Sequence, residues 1–134
     1  MPDLGTIRVG YLPIIGCASI FVTAEKGYSA EQGLQAEFVN FSAGGSMMAP
    51  LSTGQLDAAG LGGGTRLFNG MQQGLDFKVV SALGSEPPGY NGVPLLVRKD
   101  LFDSGEITGP ADLEGRKVAV NVERGVNEFL MSEA

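Results

Sequence analysis

Residues 41–64 read FSAGGSMMAPLSTGQLDAAGLGGG, one helix-length segment between two glycine-rich turns. Each turn follows a run of residues typical of a β-strand, so each turn is predicted to lead from a strand into a helix. In open α/β sheets, ligands bind beyond the carboxyl ends of the strands. The stretch therefore predicts two binding loops on one edge of one sheet, with no catalytic group in either loop.

The hydrophobic pattern on both sides of this stretch alternates between strands and helices. Helical spacing of apolar residues is found at 18–27, 46–53, 65–73 and from 126 onward, with a short helical piece before Gly33 and a helical turn opening at Pro110. The predicted strands are 6–12, 34–41, 56–61, 77–83, 93–97 and 117–122. Strand and helix in alternation favour an α/β fold with a mainly parallel sheet flanked by helices.

Composition limits the classes of function. The chain has 134 residues, of which 43% are hydrophobic, enough for one globular domain. A net charge of −6 without a basic run argues against nucleic acid and anionic membranes as partners. Histidine is absent, which removes the commonest general base and metal ligand, so we expect no cofactor and no metal site. The single cysteine, Cys17, cannot form an internal disulfide.

Three turns are predicted to converge at the carboxyl edge of the sheet, at residues 13–19, 42–46 and 62–65. Each leads into a helix N-terminus, where unpaired N–H groups and the helix dipole favour an anion or a carbonyl oxygen. Ser19, Ser46 and Thr65 can cap their own helices or turn a hydroxyl toward a ligand, and capping is the favoured role for each residue taken singly. The occurrence of three such turns at one edge favours a binding site.

Several side chains have both a functional and a structural interpretation. Cys17 stands near a helix start, which would lower its pKa, but without a histidine base a packed or ligand-adjacent thiol is favoured over a nucleophile. Asp57 is predicted to be a structural carboxylate bonded to local N–H groups. In the proline-rich loop 85–92, Tyr90 either stacks on a ligand or lies on the surface. Arg124 either pairs with a ligand carboxylate or sulfonate or is solvated. The glycine run before Thr65 lacks the lysine of a P-loop, which excludes nucleotide binding.

Five segments together resemble a known family. They are IRVGYLPI at 7–14, EKGYSAEQGLQAEFV at 25–39, MMAPLSTGQLDAAGLGG at 47–63, GLDFKVVSA at 74–82 and PLLVRKDLFDSGEITGPADLEGRKVAVN at 94–121. The chain is similar over nearly its whole length to the substrate-binding proteins of ABC importers, in the nitrate/sulfonate/taurine group. The combination of KGY…GL, L-x-x-G-Q-L-D and DLxGRKVAV carries most of the resemblance.

The resemblance implies a type II periplasmic-binding-protein-like fold, in which two α/β lobes are joined by a hinge and close on a ligand. Residues 1–101 would form most of the first lobe, and 102–134 the hinge region and the start of the second. Family members are about twice this length, so we expect a truncated fragment. The family also implies a periplasmic or extracytoplasmic location, although no signal peptide is visible in the chain.

By the same resemblance, the protein is a substrate-binding component that captures a small organic anion and delivers it to ABC permease subunits. The anion would be a sulfonate, a carboxylate or a related nitrogen or sulfur compound. Its binding residues would donate hydrogen bonds or shape an apolar wall, without chemistry. The implied ligand-facing residues are Ile15, Gly16, Cys17, Ala43, Gly44, Gly45, Ser46, Gly63, Gly64, Thr65, Tyr90 and Arg124.

Two other functions share this fold. An enzyme of the pyrimidine-precursor synthase type consumes its own histidine, by family resemblance, and this sequence has none. The effector domain of a transcription regulator requires a DNA-binding helix-turn-helix, which the sequence does not show. Independently of function, a fragment with an unfinished core is expected to expose apolar surface and to self-associate. A monodisperse monomer in solution would contradict that expectation.

Overall fold

The computed structural model describes residues 3–85, 87–90, 92–123 and 125–133. The chain divides into two compact units, residues 1–85 and 86–134. The first unit holds all the described strands, which are β1 (Thr6–Tyr11), β2 (Gln35–Asn40) and β3 (Ala58–Ala59). The assignment of 1–101 and 102–134 to two lobes stays a prediction.

The three strands form one parallel sheet in the order β2-β1-β3. Thr6 is paired with Gln35 and Tyr11 with Asn40, so β1 and β2 are matched along their full lengths. On the other side of β1, only Val9 and Gly10 pair with β3. Residues 6–11 are rich in β-branched and aromatic side chains, which pack well on a pleated surface. The predicted α/β fold with a parallel sheet flanked by helices is confirmed, and it is consistent with a periplasmic-binding-protein-like lobe.

Helices follow each strand of the first unit. They are α1 (Ala18–Lys26), α2 (Tyr28–Glu31), α3 (Met48–Ser52) and α4 (Thr65–Gln72), with 3₁₀ turns at Ile15–Cys17 and Gly44–Met47. Gly27 ends α1 in the left-handed conformation, at a φ of 70°, and its N–H donates to the carbonyl of Ala24. Only glycine adopts that conformation without strain, which explains why the helical pattern stops there.

The second unit contains α5 (Lys99–Asp103), a 3₁₀ turn at Pro110–Leu113 and α6 (Val126–Ser132). The sequence pattern did not predict α5. The carboxylate of Asp112 accepts hydrogen bonds from the N–H of Thr108 at 2.8 Å, the Thr108 hydroxyl at 3.0 Å and the N–H of Gly109 at 3.1 Å. These bonds hold the pKa of Asp112 below its usual range, and the bond from the Thr108 backbone has the largest effect. They also fix the start of the 3₁₀ turn.

Four of the strand predictions are wrong in whole or in part. Residues 77–83, 93–97 and 117–122 form no strand, and the strand predicted over 56–61 is reduced to Ala58–Ala59. A strand is stable only when its N–H and C=O groups pair with a neighbouring strand, and none of the described residues pairs with these segments. As a result Val79 and Val80 are 71% and 89% exposed.

The core of the first unit lies between the sheet and the segment that connects β2 to β3. Met47 is 0% exposed and Leu56 is 4% exposed. Both side chains point at β1: a Cβ built on Gly10 would lie 2.7 Å from Leu56 Cδ1 and 2.9 Å from Met47 Sδ. A side chain at position 10 would therefore displace the core.

Asp57 connects β1 to the start of β3. Its carboxylate accepts hydrogen bonds from the backbone N–H of Arg8 at 2.8 Å and from Nε and Nη2 of the same residue at 3.1 Å each. In return, the Asp57 N–H donates to the Arg8 carbonyl at 2.9 Å, and Arg8 Nη2 also donates to the carbonyl of Gly54. Asp57 therefore has a structural role, as predicted, but the prediction of local N–H donors is wrong, because its donors belong to Arg8 in β1.

The pairing with Arg8 makes stability depend on pH. The side-chain hydrogen bond from Arg8, followed by its backbone N–H, lowers the pKa of Asp57. A lowered pKa in the folded state contributes stability above the unfolded value of about 3.9, and that contribution is lost as pH falls through the folded value. We expect Asp57→Asn to lower the Tm at pH 7 and to reduce the loss of Tm between pH 5 and pH 2, as measured by circular dichroism.

A matched variant, Asp76→Asn, removes the same charge from an exposed residue. It should leave the shape of the Tm profile against pH unchanged. Parallel profiles for Asp57→Asn and the unsubstituted chain would contradict the role of the ion pair.

Candidate functional site

The carboxyl ends of β1, β2 and β3 lie at one edge of the sheet, because the three strands are parallel and in register. A 3₁₀ turn follows β1 and leads into α1, and another follows β2 and leads into α3. The glycine run 62–64 follows β3 and leads into α4. The structure thus brings together the three turns that the sequence singles out, and we call this group the loop edge.

The first turn exposes one apolar side chain and the backbone of one glycine. Ile15 is 87% exposed and Gly16 is also exposed. Cys17, by contrast, is 2% exposed, and its Sγ lies 3.8 Å from the carbonyl oxygen of Gly60. The thiol is therefore packed in the interior, the first of the two roles considered for it, because the sulfur faces the end of β3 and not the solvent.

The second turn presents backbone donors. The hydroxyl of Ser46 donates to the carbonyl of Ala43 at 2.6 Å, so its proton is used within the turn. The backbone N–H of Ser46 donates to the same carbonyl at 3.2 Å. The N–H groups of Gly44 and Gly45 have no hydrogen-bond acceptor within the described part of the chain. These two donors are therefore available to a ligand oxygen.

The third turn is the most open. The N–H of Gly64 donates to the carbonyl of Gly62 at 2.9 Å, which folds the glycine run back on itself. No atom lies within 4 Å of a Cβ built on Gly63. Thr65 is the first residue of α4, directly after Gly64 at the N-cap. This turn exposes backbone and places the helix start at the loop edge.

Arg66 also belongs to the loop edge, although sequence reasoning missed it. A Cβ built on Gly45 would lie 2.7 Å from Nη1 and 3.3 Å from Cδ of Arg66, so this side chain lies over the second turn. The sequence pattern of α4 emphasises its apolar positions, and an arginine between them suggests only a solvated face. One signal was present in the sequence. A cation in the first turn of a helix interacts unfavourably with the helix dipole, so an arginine at this position does not stabilise the helix.

Tyr90 and Arg124, predicted as ligand-facing residues, both fall in the second unit. Tyr90 is 74% exposed, and its N–H donates to the carbonyl of Pro87 at 3.1 Å. Arg124 lies outside the described residues. The structure therefore brings together the predicted residues of the three turns, and for these two residues the assignment stays a prediction.

The loop edge is suited to holding a ligand by hydrogen bonds and charge. Across the described ranges, no group of three or more cysteine and carboxylate side chains could hold a metal ion. The described helices include none that is long and apolar enough to cross a membrane. A cavity of about 200 Å³ lies between the sheet and α1 and α2, and is lined by Ile7, Val9, Ser19, Ile20, Thr23, Ser29, Leu34 and Phe38.

Comparison with known proteins gives a family match and a small set of relatives. The profile of the NMT1-like family matches residues 2–131. A bicarbonate transport ATP-binding protein, CmpC, of Synechocystis sp. is 31% identical over 105 residues, which is 76% of this chain and 15% of that protein. Its counterpart from Synechococcus elongatus is 31% identical over 102 residues, 74% of this chain and 15% of that protein. The chain thus spans 15% of the length of these relatives. No solved structure matches it.

Proposed function

Because the chain belongs to the NMT1-like family, we propose that it captures a small organic anion as the substrate-binding component of an ABC importer. The family covers nitrate/sulfonate/taurine-type substrate-binding proteins of ABC importers, which confirms the resemblance drawn from the sequence. A substrate-binding role for an importer fits that membership. The ligand would be a sulfonate, a carboxylate or a related nitrogen or sulfur compound.

The observation that carries the proposal is the meeting of three strand-to-helix turns at one sheet edge. At the second turn, the N–H groups of Gly44 and Gly45 can donate to an oxygen of the ligand. At the first turn, the exposed side chain of Ile15 supplies an apolar wall for the carbon part of an organic anion. Backbone donors beside one apolar contact suit reversible capture and not bond-breaking chemistry.

The relatives support anion chemistry in a transport setting. They are named as components of bicarbonate transport, and bicarbonate is an oxyanion with a planar, carboxylate-like group. In our proposal, residues 102–134 belong to the hinge and the start of a second lobe, and the ligand lies in the cleft between the lobes. Permease subunits would be the protein partners, and the site of action would be periplasmic or extracytoplasmic.

The family is mainly substrate-binding and not enzymatic, which supports the importer component over the pyrimidine-precursor synthase in our proposal. The effector domain of a regulator is kept as an alternative. We retain self-association as a prediction. It is supported by the exposure of Val79 and Val80, two adjacent apolar side chains in a segment without a strand partner among the described residues.

Calorimetric screening tests the proposal directly. Sulfonates, carboxylates, bicarbonate and nitrogen heterocycles would be titrated into the 134-residue chain and, in parallel, into the full product of its gene. We expect saturable binding of one anionic class to the full product. An absence of binding by every compound in the panel would overturn the proposal.

A further inference from the structure

We infer that Arg66 is the cation that pairs with the oxyanion group of the ligand, and that position 45 is a glycine to make room for it. This inference rests on the proposed function and assigns the residue that selects the charge of the ligand. Arg66 belongs to the loop edge but to no motif that carried the family resemblance.

The geometry places the guanidinium over the second turn. The distances of 2.7 Å to Nη1, 3.3 Å to Cδ and 3.6 Å to Cζ, measured from a Cβ built on Gly45, show the side chain of Arg66 lying along this residue. Any other residue at position 45 would push the guanidinium away. Gly45 is therefore adjacent to the cation. Its N–H has no acceptor among the described residues, so one anion can contact both this donor and the guanidinium.

Arg66 differs from the other arginine of the first unit in its ion pairing. Arg8, the other arginine between residues 1 and 85, forms an ion pair with Asp57 at 3.1 Å. Asp57 leads into β3, so that pair lies at the end of the sheet opposite the loop edge. Within the described residues, Arg66 makes no ion pair and no side-chain hydrogen bond. Its charge is thus not neutralised by a carboxylate there, although the chain carries a net charge of −6.

The helix dipole gives an independent argument. Arg66 is the second residue of α4, where the partial positive charge of the helix start disfavours a cation. A bound oxyanion would remove that conflict, because it would be attracted both by the guanidinium and by the helix start. The planar fork of arginine matches the two oxygens of a carboxylate, a bicarbonate or a sulfonate, and this selects the substrate class.

Nuclear magnetic resonance of the ¹⁵N-labelled 134-residue chain tests the inference. The probes are acetate and methanesulfonate, each compared with an uncharged counterpart, acetamide and dimethyl sulfone. We expect the two anions to shift the amide signals of Gly44 and Gly45 and the Nε–H signal of Arg66 in a saturable manner. Arg66→Gln should weaken binding of the anions by about tenfold or more, the usual loss for a charge-assisted hydrogen bond.

Three further variants separate charge from geometry. Lys26→Gln removes the same charge at the far end of α1 and should leave anion affinity within about twofold. Arg66→Lys keeps the charge and loses the fork, so its affinity should lie between those of the unsubstituted chain and Arg66→Gln. Gly45→Ala should weaken binding with the fold intact, because the backbone at position 45 is not left-handed.

Equal affinity of Arg66→Gln and the unsubstituted chain for the anions would overturn the inference while leaving the importer proposal in place. Equal binding of the uncharged counterparts would do the same. If no anion binds even the unsubstituted chain, the inference fails, whereas the importer proposal fails only when the full calorimetric panel is also negative.

Discussion

Met47→Ala is expected to lower the free energy of unfolding by about 2–5 kcal/mol, the range measured when large apolar side chains are removed from protein cores. Met47 is 0% exposed, and its sulfur lies against Gly10 in the central strand. Since the sheet has three strands and few side chains are fully buried, the loss of this one leaves a cavity that little else can fill. Urea denaturation followed by circular dichroism would measure the change.

Met71→Ala provides the matched control, because it deletes the same atoms from α4, where the side chain is 40% exposed. Alanine has a high helix propensity, so this substitution should change the free energy of unfolding by about 0.5 kcal/mol or less. Equal losses from the two substitutions would show that Met47 does not support the core.

Gly10→Ala is expected to lower the free energy of unfolding by about 1–3 kcal/mol, for the opposite reason. The added methyl group would lie 2.7 Å from Leu56 Cδ1, 2.9 Å from Met47 Sδ and 3.3 Å from a ring carbon of Phe41. Met47 and Leu56 are themselves buried, so neither can move aside freely. Gly84→Ala is the control, because no atom lies within 4 Å of a Cβ at that position.

The double variant Gly10→Ala with Met47→Ala distinguishes packing from general damage. If the methyl group at position 10 occupies part of the space left by the methionine, the double variant will lose less free energy of unfolding than the sum of the two single losses. We expect this difference to be about 0.5 kcal/mol or more. Full additivity would mean that the two side chains do not share one space, and would contradict the packing described for β1.

The sequence predicted the first two strands to within one residue at each end, for identifiable reasons. Residues 6–11 and 35–40 combine β-branched or alternating side chains with clear stops, at Pro13 for β1 and at the glycine turn after Phe41 for β2. Helix ends were equally clear where glycine takes a left-handed conformation, as at Gly27. Local signals of this kind do not depend on distant partners.

Segments that need a distant partner could not be predicted from their own residues. Residues 77–83 have the apolar, β-branched composition of a strand, yet Val79 and Val80 are exposed and unpaired with any described strand. The same limit applies to Asp57, whose donors come from Arg8, 49 residues away. Arg66 was not predicted because its position over the second turn involves a contact with Gly45, and no spacing in the sequence indicates that contact.

β1 precedes both of its neighbours in the sequence and is the middle strand of the sheet, so it is synthesised before either strand that it pairs with. On the ribosome, β1 emerges without either neighbour, and the Arg8–Asp57 pair waits for a residue 49 positions later. Such non-local contacts fold slowly and leave an unpaired apolar strand exposed in the meantime. The three-strand arrangement can therefore form only after Ala58–Ala59 has been made, and β1 lacks one of its two neighbours until then.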